Sequence, residues 1–176
     1  MTQSGRSEII VIAVGGVKAH VLKHVCASLA KVFGYPCRIG AAWPKPDHAF
    51  DAHRAQYSAE AILAQLRAGK AERVLGVVDL DLFVPQLNFV FGLADPFERR
   101  AIIALPRLRE SFYSARDDET LFLARAVKEA VHELGHTYGL SHCHDRQCVM
   151  AFSNSLIDTD YKGQEFCAMC KKQLGR

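Results

Sequence analysis

The sequence predicts an α/β fold that grades into α+β: a mixed, twisted β-sheet with helices packed against it and an irregular C-terminal region. Three observations carry this expectation. Short aliphatic runs have strand length, longer stretches repeat their apolar residues every three or four positions, and the two kinds alternate in the order β-α-β-α-β-β-β. At 176 residues the chain can bury a hydrophobic core without external staples, so one domain spanning 1–176 is expected. Within it, an N-terminal subdomain over about 1–139 and a C-terminal one over about 140–176 are anticipated.

Residues 8–14 form a continuous aliphatic run ending in Gly15 and Gly16, the pattern of a strand buried on both faces. Val17, Val21, Leu22, Val25, Leu29 and Val32 then keep helical spacing until Gly34 and Pro36 stop it. Residues 37–43 read as a second strand, broken by Pro44 and Pro46. Ala55, Ala59, Ile62, Leu63 and Leu66 predict a helix over 51–66, with Gly69 as its stop. Residues 73–78, 88–93 and 100–105 are strand-like, and Pro85, Pro96 and Pro106 punctuate their connections. Residues 118–139 make the last long helix, with Leu121, Leu123, Ala124, Val127, Ala130, Val131 and Leu134 supplying an extensive apolar surface. Beyond Gly139 the periodicity fades until 166–174, so the tail needs some other device to hold it.

Net charge is +3 and the basic residues are scattered, which argues against a nucleic-acid surface. The charged leader of residues 1–8 and the short apolar run after it fit neither a signal segment nor a membrane span, so a soluble, monomeric, cytoplasmic protein is expected. Four of the six cysteines fall in a Cys-x4-Cys and a Cys-x2-Cys pair near histidines, a pattern of metal binding in a reducing compartment. Cys26 and Cys37 are left over and are expected to be buried, inert thiols.

The chemistry concentrates in residues 132–142, which read HELGHTYGLSH. His132 and His136 are four residues apart on one helix, so their side chains project from one face and can share an ion. Glu133 stands beside the open coordination position, where a carboxylate can act as general base. Zinc bound this way lowers the pKa of water from about 15.7 to about 7 and polarises a scissile carbonyl. A third ligand on the same straight helix cannot complete the site. Gly139 allows the chain to turn, and His142 can then swing back. Cys143, Cys148, Cys167 and Cys170 offer a second, thiolate set, for which two disulfides or four free thiols are the alternatives.

The HExxHxxGxxH pattern resembles the metzincin clan of zinc peptidases. Its continuation into Cys143, the run Cys148-Val149-Met150 and the run Cys167-Ala168-Met169-Cys170 resembles the archaemetzincin branch. Arg54-Ala55-Gln56-Tyr57 and Asn88-Phe89-Val90-Phe91-Gly92 are also similar to segments of that family. The resemblance implies a zincin fold, a catalytic zinc on His132, His136 and His142, and Glu133 as the base for attack of zinc-activated water on a peptide bond. It implies a second, structural zinc on Cys143, Cys148, Cys167 and Cys170, so two zinc ions per chain. Met150 becomes the Met-turn residue beneath the catalytic metal, although an ordinary core methionine would pack the same way. An extended peptide would lie along an edge strand formed by Asn88, Phe89, Val90, Phe91 and Gly92, for which a plain sheet strand is the alternative. The place where some metzincins carry a tyrosine is Phe152, leaving Tyr138 and Tyr161 as substitutes that are more simply packed or exposed. His144 is expected at the surface or behind the ligands, and His20, His24, His48 and His53 as ordinary polar side chains. A catalytically silent, zinc-stabilised peptide-binding or scaffold protein is the alternative function, and the carboxylate of Glu133 argues against it.

Overall fold

The computed structural model describes residues 7–175; residues 1–6 of the charged leader, and residue 176, lie outside it. The chain opens with β1 (Ile9–Val14), crosses over through α1 (Ala19–Phe33) and returns in β2 (Cys37–Ile39). A short hairpin of β3 (Phe50–Asp51) and β4 (Gln56–Ser58) leads into α2 (Ala59–Leu63). Then come β5 (Arg73–Val78), β6 (Leu82–Phe83), β7 (Gly92–Asp95) and β8 (Arg100–Ala104). The long helix α3 (Glu119–Thr137) is followed by two short ones, α4 (Leu156–Tyr161) and α5 (Ala168–Gln173).

The main sheet has five strands in the order β2-β1-β5-β8-β7, and β3-β4-β6 form a second, three-stranded sheet. β1, β2, β5 and β8 run parallel, and β7 is the antiparallel edge. The near-continuous aliphatic character of 9–14 and 73–78 follows from burial on both faces. On one face Ile9, Val11, Leu75, Val77 and Ile103 meet α1 and α3 through Val25, Leu29, Ala130 and Leu134. On the other, Val74, Val78 and Ile102 meet Ile62, Leu63 and Leu66. Each such side chain contributes about 1.5–3 kcal/mol on full burial. The edge at β7 therefore belongs to a rigid slab, with α3 packed across it.

Several boundaries differ from the sequence expectation. The first half of the helix expected over 51–66 is instead the β3–β4 hairpin, with α2 confined to Ala59–Leu63. The Asp51 side chain accepts from the His53 and Arg54 amides at 2.9 and 3.1 Å, and Ala55 takes φ +53°, so local side-chain bonding wins over helix there. Ser58 then caps α2 by accepting from the Ala61 amide. The strand expected over 37–43 shortens to Cys37–Ile39, with a lone bridge from Trp43 to Val14. The strand expected over 88–93 enters the ladder only at Gly92, because the Val90 amide bonds to Leu82 O at 3.0 Å instead. Cys26 and Cys37 are not free thiols: they are bridged as a disulfide, their Cα atoms 5.5 Å apart, tying α1 to β2.

α3 carries more than an apolar face. Arg125, Lys128 and Glu129 on it are buried, and each finds a partner at α4 or just beyond. Arg125 forms two 2.6 Å bonds to Asp160, Lys128 donates to the Thr159 and Asp160 carbonyls at 2.9 Å, and Glu129 pairs with Lys162 at 3.0 Å. The last pair is almost fully enclosed, with side chains 3% and 1% exposed. Lys162→Met would strand the Glu129 charge and is expected to lower stability by about 3–5 kcal/mol, while Glu129→Leu/Lys162→Met should recover most of the loss. Urea unfolding midpoints of the two variants check this.

Candidate metal centre and active site

α3 positions the first two histidines. Asp118 caps its start by accepting from the Leu121 amide, and Gly139, at φ +85°, ends the helical course and turns the chain back. The turn brings His142 beside His132 and His136, and the candidate ligand atoms of the three lie within 4.8 Å of one another. Cys143, Cys148, Cys167 and Cys170 form a second such group within the same limit, and none of the four is in a disulfide. Both groups meet at the His142–Cys143 peptide.

The histidine hydrogen bonds define what the first group can hold. His132 Nδ1 donates to Val149 O at 2.9 Å, and His136 Nδ1 donates to Leu140 O at 2.7 Å. A carbonyl can only accept, so in the neutral rings the protons sit on Nδ1 and both Nε2 atoms carry lone pairs. Those two Nε2 atoms are 3.1 Å apart. Burial keeps the rings neutral, pushing His132 down to about 2 and lowering His136 and His142. Two facing acceptors without a proton suit a cation, and Nδ1 bonds to carbonyls are how metal-binding histidines are oriented.

The cysteine geometry fits a closed tetrahedron. Sγ of Cys143 is 3.7 Å from that of Cys167, and Sγ of Cys148 is 3.7 Å from that of Cys170. Zinc–thiolate bonds of about 2.3 Å give a tetrahedron with edges of about 3.8 Å. The Cys167 amide points at Cys148 Sγ (3.3 Å), and a hydrogen bond involving the Cys170 amide holds the Cys167 thiol down to about 7. The knuckle around Cys148 also serves the histidines. Val149 O is the acceptor for His132, and Met150 O accepts from the Cys143 amide at 2.9 Å. Met150 itself is fully buried against Gly135, where an added Cβ would stand 3.2 Å from Met150 Cε and closer still to its sulfur.

Glu133 lies at the wall of a cleft of about 800 Å³ whose floor is His132, His136 and His142. One side is formed by residues 87–94 and the other by Phe152, Ser153 and Asn154. A Cβ on Gly92 would fall 2.5 Å from Glu133 Cγ and 2.7 Å from its Cδ and Oε1, so the carboxyl group rests directly against the start of β7. Burial, reinforced by the Glu129 charge, raises the Glu133 pKa to about 8, with Lys162 opposing the shift. Of Asn88, Phe89, Val90, Phe91 and Gly92, all line the cleft but only Gly92 is in the strand.

Other candidates stand elsewhere. Tyr138 packs between Phe33, 5.2 Å away, and the Arg73 guanidinium at 3.8 Å. Tyr161 is half-exposed under Arg146, and Phe152 packs 4.9 Å from the His142 ring. His144 is exposed in a smaller hollow behind Phe152. His20, His24, His48 and His53 join neither ligand group. Glu129, Lys162 and Gly135 are the residues that sequence reasoning passed over. Glu129 had a readable signal, an acidic residue one turn before Glu133 on the same helix face.

Gly92→Ala should displace the Glu133 carboxyl group and cut any turnover that depends on it by about 10²-fold or more while metal content is retained, as steady-state kinetics with metal analysis would record. A pH effect follows from the same burial. In metal-free protein the fold holds the Glu133 proton up to about 8 against an ordinary 4.5, so its contribution to stability is full below 4.5 and is lost as pH rises through about 8. For His132 the neutral form is favoured, so its contribution is present above 6.5 and is lost as pH falls towards about 2. Urea midpoints measured against pH should show the alkaline loss in the parent and not in Glu133→Gln.

Known proteins resemble this chain over nearly its whole length. The family model for peptidase family M54 matches residues 19–176. An archaemetzincin from Methanocaldococcus jannaschii is 41% identical over 166 residues, covering 94% of this chain and 92% of that protein. The crystal structure of archaemetzincin from Methanopyrus kandleri superposes with a TM-score of 0.85 at 37% identity, covering 99% of this chain and 97% of that one. A zinc-dependent peptidase from Methanocorpusculum labreanum superposes with a TM-score of 0.85 at 30% identity, covering 94% of this chain and 99% of that one. With its family match spanning nearly the whole chain and its fold shared with these enzymes, the chain belongs to peptidase family M54, the archaemetzincins, and is a zinc metallopeptidase.

Proposed function

We propose that Glu133 is the general base of peptide-bond hydrolysis and that His132, His136 and His142 hold the catalytic zinc. The single observation that carries this reading is the seat of Glu133: its carboxyl group touches Gly92 at the edge strand, one residue from a histidine whose Nε2 lone pair faces the cleft. A zinc ion bound there supplies Lewis-acid chemistry, acidifying water and polarising the scissile carbonyl. Glu133 takes a proton as water attacks that carbonyl and passes it to the leaving amine. A carboxyl group whose proton affinity is raised by burial suits both halves of that transfer.

The substrate backbone pairs with the open side of β7. Phe91 O accepts from the Ala104 amide at 2.8 Å, and Gly92 opposes Ile103 in the antiparallel register. Antiparallel ladders alternate, so the amide and carbonyl groups of Gly92 and Ala94 point away from β8 towards an added strand. This supports an extended peptide aligned along Gly92–Asp95, with residues 88–91 as groove wall in place of a strand. Gly139 then marks the boundary between the subdomains over 1–139 and 140–176, and the groove runs between them.

Cys143, Cys148, Cys167 and Cys170 hold a second, structural zinc, for which the 3.7 Å sulfur spacings are the support. The site pins the short tail helices where a hydrophobic stripe is too small to do so. Four unpaired thiols fit a reducing cytoplasm, and the Cys26–Cys37 bridge is the observation that fits an oxidising compartment. Among the described residues no helix is long and apolar enough to cross a membrane.

A peptide-library cleavage assay on zinc-loaded protein tests the assignment of the base. Glu133→Ala should lose about 10²–10⁴-fold in kcat with zinc content unchanged; equal turnover in both proteins would sink it. Cys167→Ser should lose activity together with tail order, because Cys143 directly follows His142 and Val149 O orients His132. Normal activity in that variant would contradict the coupling of the two sites.

A further inference from the structure

The β3–β4 hairpin belongs to a different sheet from the edge strand, yet its Arg54-Ala55-Gln56-Tyr57 run reaches the cleft wall. Arg54 Nη2 donates to Leu87 O at 2.6 Å, and its guanidinium lies 4.3 Å over the Phe83 ring. The buried Gln56 side chain donates through Nε2 to Asn88 O and to Asp81 Oδ2, both at 2.9 Å, and accepts from Arg54 Nε at 3.2 Å. Asp81 is in turn gripped by Arg107 at 2.6 and 2.9 Å, and the Arg107 guanidinium lies 4.3 Å over Phe89. Ala55, between the two donors, is held at φ +53°, a conformation that alanine avoids unless its surroundings impose it.

These contacts converge on three consecutive residues, 87–89, which line the cleft just before the chain enters β7 beside Glu133. With the Leu87 and Asn88 carbonyls both committed to the hairpin, the peptide planes of the groove wall have one orientation. Among the described residues, the hydrogen bonds and ring contacts of His132, His136 and His142 are with other residues, and the link from this network to the chemistry runs along the chain through Val90 and Phe91 to Gly92. We infer that Arg54 and Gln56 are positioning residues for the peptide substrate, fixing the groove wall at residues 87–89, with Asp81 and Arg107 as their support. The inference rests on the reading of the groove beside β7 as the peptide site. A side chain that acts on the wall alone should change how well a peptide binds and leave the bond-breaking geometry intact.

The test uses zinc-loaded full-length protein and a quenched-fluorescence octapeptide pool. Gln56→Leu keeps the volume and removes both amide donors; Arg54→Lys keeps the charge and removes the planar fork, and serves if Gln56→Leu does not fold. The apparent KM is expected to rise by roughly tenfold in the hairpin variants, with kcat within about twofold of the parent. A merely structural role would lower the unfolding midpoint and the active fraction without moving KM, and an unmoved KM overturns the inference. Ala94→Pro, which removes an outward amide of β7, is measured alongside. KM raised by Ala94→Pro and not by the hairpin variants sinks this inference alone. KM raised by neither sinks the edge-strand reading with it, and KM raised only by the hairpin variants supports the wall and removes the edge.

Discussion

His132 and His136 each give their Nδ1 proton to a backbone carbonyl, which leaves two Nε2 lone pairs facing each other 3.1 Å apart. Unrelieved, that arrangement is repulsive, and protonation to relieve it is opposed by burial. That arrangement suits a cation, and the hydrogen bonds from Nδ1 keep the two rings in it. The carbonyls that hold the rings both come from the chain beyond the Gly139 turn. Leu140 O lies just past the end of α3, and Val149 O belongs to the cysteine-bearing tail.

This dependence joins two sites that differ in chemistry. One segment, from Gly139 to Cys143, closes the histidine group with His142 and opens the cysteine group with the next residue. The tail returns twice: the Cys148–Met150 knuckle orients His132 and packs Met150 under Gly135, and the pairs of Arg125 with Asp160 and Glu129 with Lys162 fasten α4 to the same helix. α3 is thus held on both flanks by the segment least able to fold by itself. Opposite it, the edge of the main sheet approaches so closely that only glycine fits at position 92 beside Glu133.

Local patterns were legible in the sequence and long-range exchanges were not. The strands at 9–14 and 73–78 and the helix at 119–137 follow from period and length, since their residues meet the core by the repeat of their own backbone. The histidine and cysteine spacings were readable for the same reason: helix geometry and a glycine turn act over a few residues. The hairpin at 50–58 was hidden because Ala59, Ile62, Leu63 and Leu66 continue a true helical period, while the Asp51 side chain and the turn at Ala55 break it just before. Residues 88–91 read as strand from their apolar character, but the Asn88 carbonyl is taken by Gln56 and the Val90 amide by Leu82, both distant in sequence. Glu129 and Lys162, separated by more than thirty residues, gave no sign of pairing, and the bridge between Cys26 and Cys37 depends on how α1 lies against β2.

Zinc-edge X-ray absorption on protein of measured metal content would show whether one junction serves a nitrogen-ligated and a sulfur-ligated ion. About two zinc ions per chain and a mixed signal are expected, with Zn–S distances of about 2.3 Å and Zn–N distances of about 2.0–2.1 Å. A single ion per chain, or a signal of sulfur ligands alone at full loading, would contradict that expectation.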